Sequence, residues 1–133
     1  MKRNLILVKT CIFTLLAVAA CDNVTFSTLV GKWQLKTVEK EGVIIPVDTV
    51  WYNFQSISLF ALQVYDPQKE TYYAYEGVRT QEEDLLSIRI NAEWVVDNSD
   101  WSHPNRSFTI EKVNKTHLRL RSEEGFLYSF IKF

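Results

Sequence analysis

The sequence predicts an all-β fold: a small up-and-down antiparallel β-barrel of about eight strands, set behind an N-terminal signal peptide. Three observations predict it. From Gly31 onward apolar and polar residues alternate with period two, as in half-buried strands. Turn residues recur about every ten positions. No stretch of the mature chain carries apolar side chains at the spacing of a long helix. So many antiparallel strands escape the exposed-edge problem best by closing on themselves, which favours a barrel. A two-sheet sandwich is the alternative.

Length and composition bound the answer. A chain of 133 residues is one domain, and 14% aromatic residues with only 4 Gly and 3 Pro supply one real core. The organisation reads as a signal peptide at 1–20, a lipidated cysteine and tether at 21–28, and a β domain at 29–133. Three of the 15 basic residues (Lys2, Arg3, Lys9) lie in the leader, so the mature chain has 12 against 16 acidic ones. That acidic balance argues against nucleic acid and against a polybasic membrane binder. Of two cysteines, Cys11 falls in the leader, which rules out a disulfide scaffold and a cysteine metal site.

The leader begins with Met1-Lys2-Arg3 and continues as an apolar run over residues 11–20. That run is too short to span a membrane and has the form of a secretory signal. Small residues precede the cysteine in Val18-Ala19-Ala20-Cys21, which resembles a bacterial lipobox, and the resemblance implies a diacylglyceryl group on Cys21. In lipoproteins resembling those of Bacteroidetes an acidic run after the cysteine marks surface export; here Asp22 stands alone, so the resemblance implies a periplasm-facing outer-membrane lipoprotein. Residues 25–30 read as a single helical turn capped by Thr25.

The strands follow in order. Residues 32–41 place Trp33, Leu35 and Thr37 on one side, and Gly42 closes the run. Residues 43–45 form a short β piece broken by Pro46, which suits an edge or a mouth crossing. Residues 50–55 alternate Val50, Tyr52 and Phe54. Residues 58–65 are apolar on both sides, implying a covered outer face. Asp66-Pro67-Gln68-Lys69 is a turn. Residues 70–79 are rich in tyrosine, and 80–84 form an acidic turn. Residues 85–91 direct Leu86, Ile88 and Ile90 inward. Residues 92–105 are irregular, with Trp94-Val95-Val96 a further piece of sheet. Residues 106–113, 117–122 and 126–132 form a meander whose inward residues are Phe108, Ile110, Leu118, Leu120, Phe126, Tyr128 and Phe130.

The stretch Leu29-Val30-Gly31-Lys32-Trp33-Gln34-Leu35 after a lipobox, followed by eight strands, resembles the lipocalin-like lipoproteins of Bacteroidetes. So does the ending Phe108 to Val113, Leu118-Arg119-Leu120 and Tyr128 to Phe133. In the wider calycin group the corresponding Trp packs at the closed barrel end under a basic residue of the last strand. The resemblance therefore implies a plug made of Gly31, Trp33 and Lys132. The chain lacks the Thr-Asp-Tyr-type motif and the disulfides of secreted lipocalins.

Two functions stay open. The leading one is a non-catalytic binder of a small apolar molecule, lined by Tyr52, Phe54, Phe60, Tyr73, Tyr75, Phe108 and Tyr128, with Phe130 beside them. The other is a solid barrel that docks an envelope protein, or inhibits an enzyme, through loop aromatics: Trp94 and Trp101, with Trp51. No cofactor is implied. His103 and His117 lack metal-ligand spacing. The acids Glu82, Glu83, Asp84, Glu123 and Glu124 fall in turns, where solvated charge is the rule. No nucleophile elbow or phosphate loop exists, so an enzyme is not expected.

Overall fold

The computed structural model describes residues 29–133. The leader, Cys21, the tether and most of the expected helical turn lie outside the described residues. Nine strands and one helical turn follow: β1 (Gly31–Lys40), β2 (Val43–Pro46), β3 (Val50–Phe54), β4 (Leu59–Asp66), β5 (Thr71–Glu82), β6 (Leu85–Ile90), α1 (Val95–Asn98), β7 (Asn105–Val113), β8 (His117–Ser122) and β9 (Leu127–Lys132). All pairings are antiparallel. Neighbours in sequence pair from β3 to β9, and β1 pairs with both β3 and β9. Eight strands thereby close an up-and-down barrel, as the alternation predicted, and the sandwich is excluded.

The ninth strand is a consequence of Pro46. On one edge β1 pairs with β9 along most of its length. On its other edge residues 31–34 pair with β3, and residues 37–40 pair with β2. The strand position is thus shared by β3 and β2, interrupted over residues 47–49. The Val47 N–H still reaches the Lys36 carbonyl at 2.8 Å across that break. Proline cannot donate to a ladder, so the interruption falls where a donor is missing.

Bulges correct the reading of inward faces. The β1–β9 register jumps from Leu35 opposite Phe130 to Thr37 opposite Ser129, leaving Lys36 as the extra residue. An extra residue reverses the phase of everything after it. Trp33 and Leu35 face the core as expected, but Val38 replaces Thr37 there. Strand β5 also runs on to Glu82, so the acidic turn is only Glu83-Asp84. Residues 94–96 do not extend the sheet. Trp94 opens α1, the Ser99 hydroxyl donates to the Val95 carbonyl at 2.6 Å, and the Trp101 N–H donates to that hydroxyl. Serine so placed ends the turn and steers the chain back to the barrel. On the outer face of β4, Ala61, Gln63 and Tyr65 are half-buried while Leu59 is exposed. Phe126 lies just before β9 and is half-buried.

One end of the barrel is sealed where β1 begins. Trp33 is fully buried and its indole N–H donates to the Leu29 carbonyl at 3.0 Å. The Lys132 ammonium lies 4.5 Å from the Trp33 ring centre and donates to the Val30 carbonyl at 2.8 Å. Gly31 makes the arrangement possible. Its φ is +137°, and a Cβ there would sit 2.1 Å from Lys132 Nζ. A side chain at 31 would both strain the backbone and displace the lysine from the ring. Gly31→Ala should therefore lower the unfolding free energy by about 1–3 kcal/mol, measured by urea unfolding. Introduced into Lys132→Ala it should cost less, since no lysine remains to displace. Equal costs in both backgrounds would remove the lysine from the explanation.

Candidate ligand site at the barrel mouth

Alternation aims the large rings of β3, β4, β5, β7 and β9 at one axis, and they meet there. Tyr52 is the hub. Its ring centre lies 4.7 Å from Phe130, 5.5 Å from Phe60, 6.0 Å from Trp101 and 6.3 Å from Phe108. Phe54 packs on Phe60, and Phe108 on Tyr128. Tilted and edge-on contacts of this kind fill space well and add to the gain from burial. Towards the sealed end the buried Arg79 side chain lies over the Phe54 ring, and its Nε donates to the Ser56 carbonyl at 2.9 Å.

The connection from β6 to β7 reaches into the opposite, open end. Val95 and Trp101 from this segment are buried, Trp101 with 1% of its surface exposed. The Trp101 indole N–H donates to the Tyr52 hydroxyl at 3.2 Å. Trp101 is therefore part of the core and is not available to a partner, contrary to the expectation from its polar loop. Arg106, near the start of β7, lays its guanidinium over Trp101, Phe108 and Tyr128 at 4.6–5.1 Å from their centres. Its Nη2 donates to the Tyr128 hydroxyl at 3.0 Å, and that hydroxyl donates to Asp100 at 3.4 Å. Burial pushes the Tyr52 and Tyr128 hydroxyls above the ordinary tyrosine value, although Arg106 pulls both back. For Arg106 burial, the largest influence, acts downward, while Tyr52, Tyr128 with its hydrogen bond, and Asp100 act upward, and the net shift is upward.

A cavity of about 300 Å³ remains at the mouth. Leu35, Val38, Ile45, Val47, Val50 and Val64 make most of its wall, with Thr49 among them. Lys40, Ser99 and Asp100 supply its polar margin. It opens beside residues 47–49, where the β2–β3 line is broken. None of Tyr52, Phe54, Phe60, Tyr73, Tyr75, Phe108 and Tyr128 lines this cavity. Tyr73 is half-buried against the core, and the other six are buried. The aliphatic lining is four valines, a leucine and an isoleucine, and only Ile45, Val47 and Val50 are marked in the sequence by their place around Pro46.

The remaining candidates lie apart. Trp94 is 62% exposed at the rim, edge-on to Tyr75 at 6.0 Å. Trp51 lies on the outer face of β3 against Tyr72 and Phe133, with the Lys32 ammonium over it. His103 borders a small surface recess with Glu123 and Glu124, and the His117 ring contacts the Thr116 hydroxyl at 2.7 Å. Among the described residues no three His, Cys, Asp or Glu side chains gather to hold a metal.

A family profile described as "Lipocalin-like domain" matches residues 14–133. The chain belongs to this lipocalin-like family. It is similar to a lipocalin-like protein from Bacteroides uniformis in a crystal structure, with 27% identity and a TM-score of 0.71 over 80% of this chain and 99% of the other. An uncharacterized protein from Bacteroides eggerthii shares the fold at 24% identity and a TM-score of 0.67, over 78% of this chain and 98% of the other. No curated protein matches. A lipocalin-like barrel is an architecture suited to binding small apolar molecules, and here the suitable space is at the mouth.

The buried hydroxyls set an alkaline limit. The folded protein keeps the Tyr52 and Tyr128 protons at pH values where the unfolded chain, with tyrosine near 10.0, releases them. Stability from this source is complete below pH 10 and is lost as pH rises above it. The thermal midpoint should fall between pH 9.5 and roughly 11.5, and fall less steeply in Tyr52→Phe. Parallel curves for the two proteins would show that Tyr52 is not the group responsible.

Proposed function

We propose that this lipocalin-like chain is a lipid-anchored, non-catalytic binding protein of the bacterial cell envelope that holds a small, largely apolar molecule at its barrel mouth. The mouth cavity carries the reading. Its volume falls at the lower end of the roughly 300–1,000 Å³ typical of small-molecule sites, and its wall is aliphatic with a few polar groups on one margin. The aromatic interior leaves no depth for a sterol or a long acyl chain, so the ligand is short. Support for the anchor comes from Val18-Ala19-Ala20-Cys21 after the apolar leader. A diacylated cysteine holds a protein to a membrane stably, and a periplasm-facing outer-membrane position fits the single acidic residue behind it.

A second reading has its own observation. Val43 and Ile44 on β2 are 61% and 63% exposed, and Trp94 is exposed on the rim. Exposed apolar side chains suit a docking surface for an envelope partner. The two readings separate on one variant. Val64 faces the cavity, so Val64→Phe fills it while leaving β2 and Trp94 unchanged. Native mass spectrometry of protein purified from its own envelope should show a bound small molecule in the wild type and none in Val64→Phe. Absence of any such molecule in both would favour partner docking. For the anchor, the mature protein should begin at a lipid-bearing Cys21, and Cys21→Ala should carry no lipid. An unmodified Cys21 in protein taken from the membrane fraction would overturn that part.

A further inference from the structure

Within the mouth-binding reading, on which this step rests, the charges on the cavity margin select the ligand. We infer that the site takes a short aliphatic or alicyclic amine, with its ammonium group on Asp100 and its hydrocarbon body against Val38, Val50 and Val64. The cavity offers two charged side chains, Asp100 and Lys40, and they are not equally engaged. The Lys40 ammonium is drawn over the Phe126 ring, 5.2 Å from its centre. Asp100 is exposed, and its one hydrogen bond among the described residues is from the Tyr128 hydroxyl, at the long distance of 3.4 Å to Oδ2, with the Arg106 guanidinium acting on it by charge from behind that hydroxyl. Its Oδ1 receives no protein donor among the described residues.

Arg106 does not compete for the same position. Its guanidinium lies over Trp101, Phe108 and Tyr128 and is not part of the cavity wall. It also supports the acid indirectly: it donates to the Tyr128 hydroxyl, which leaves that hydroxyl's own hydrogen for Asp100. The carboxylate thus lies between the Tyr128 hydroxyl and the cavity margin. An ammonium beside an aliphatic wall satisfies both halves of the site, since a charge-assisted hydrogen bond is stronger than a neutral one and the hydrocarbon leaves water. A carboxylate ligand would meet Asp100 with like charge.

The test uses three probes of equal length: hexylammonium, 1-hexanol and hexanoate. Each is titrated into the mature chain, residues 21–133, expressed without its leader and so without lipid, and followed by amide chemical shifts. Hexylammonium should bind about three- to fivefold more tightly than hexanol, the scale of an exposed ion pair, with shifts at Val38, Val50 and Val64. Asp100→Asn should bring the two probes to about the same affinity; this exposed residue makes one long bond, so the fold should persist. Lys40→Met supplies an independent reading and should strengthen hexylammonium binding. Equal affinity of hexylammonium and hexanol in the wild type would overturn the role of Asp100 and leave mouth binding standing. Tightest binding of hexanoate would assign selection to Lys40 and overturn the inference. Failure of all three probes to shift the mouth residues would remove the inference together with the mouth-binding reading.

Discussion

The pairing of β1 with β9, from Trp33 opposite Lys132 to Glu39 opposite Leu127, turns a sheet into a barrel. Without it β1 and β9 would each present an open ladder of backbone donors and acceptors, the condition that invites pairing with other chains. Closure also brings Lys132 over Trp33, so the same ladder that removes the edges assembles the plug. Neither side chain reaches the other unless the register is held, and the register is held by their neighbours Leu35 and Phe130 in the core. Gly31 belongs to this constraint, because the lysine passes through the space its missing side chain leaves.

Closure fixes a narrow interior, and large residues then decide what remains of it. An eight-stranded barrel is just wide enough for side chains to fill. Here rings from opposite walls meet at Tyr52, and Trp101 enters from the mouth to complete the packing. Truncating a buried ring of this kind costs about 3–5 kcal/mol, so the packed rings are the main source of stability. At the mouth, space survives where the walls are aliphatic and the β2–β3 line is interrupted. Packing and open space are therefore divided: rings fill the axis, and aliphatic side chains border the cavity at the mouth.

That division explains what could be read from the sequence. Strand β8 is legible to the residue because Leu118 and Leu120 alternate with Arg119 and Arg121 between two clear turns. The lipocalin-like family is legible because Gly31 and Trp33 stand at the start of the first strand. Beyond Lys36 the face of β1 is misread, since a bulge inserts one residue and leaves no mark in a period-two pattern. Residues 94–96 read as strand from their bulk and branching, yet Ser99 caps a helical turn there. Alternation tells which rings point inward, but not that they meet in the middle. Tyr52, Phe54 and Phe60 thus read as pocket lining when they are packing, and Trp101 reads as exposed because its neighbours are polar. The true lining residues, Val47, Val50 and Val64, have no chemistry that sets them apart.

The polar groups at the mouth follow the same logic of depth. Arg106 is half-buried, with its guanidinium lying over three rings that limit the solvent screening of its charge. Buried charge is tolerable only where partners meet it; here the Tyr128 hydroxyl meets Nη2 and three ring faces meet the guanidinium plane, while Nη1 has no hydrogen-bond partner among the described residues. The consequence runs outward. Tyr128 accepts from Arg106 and can donate only away from it, toward Asp100. A cation fixed in the core thereby orients an anion at the surface through one hydroxyl. The direction of that relay is set by donor and acceptor chemistry, since a guanidinium cannot accept a hydrogen bond and a carboxylate cannot donate one. The margin of the mouth thus carries one anion and one cation, Asp100 and Lys40, with the Arg106 guanidinium beneath the anion.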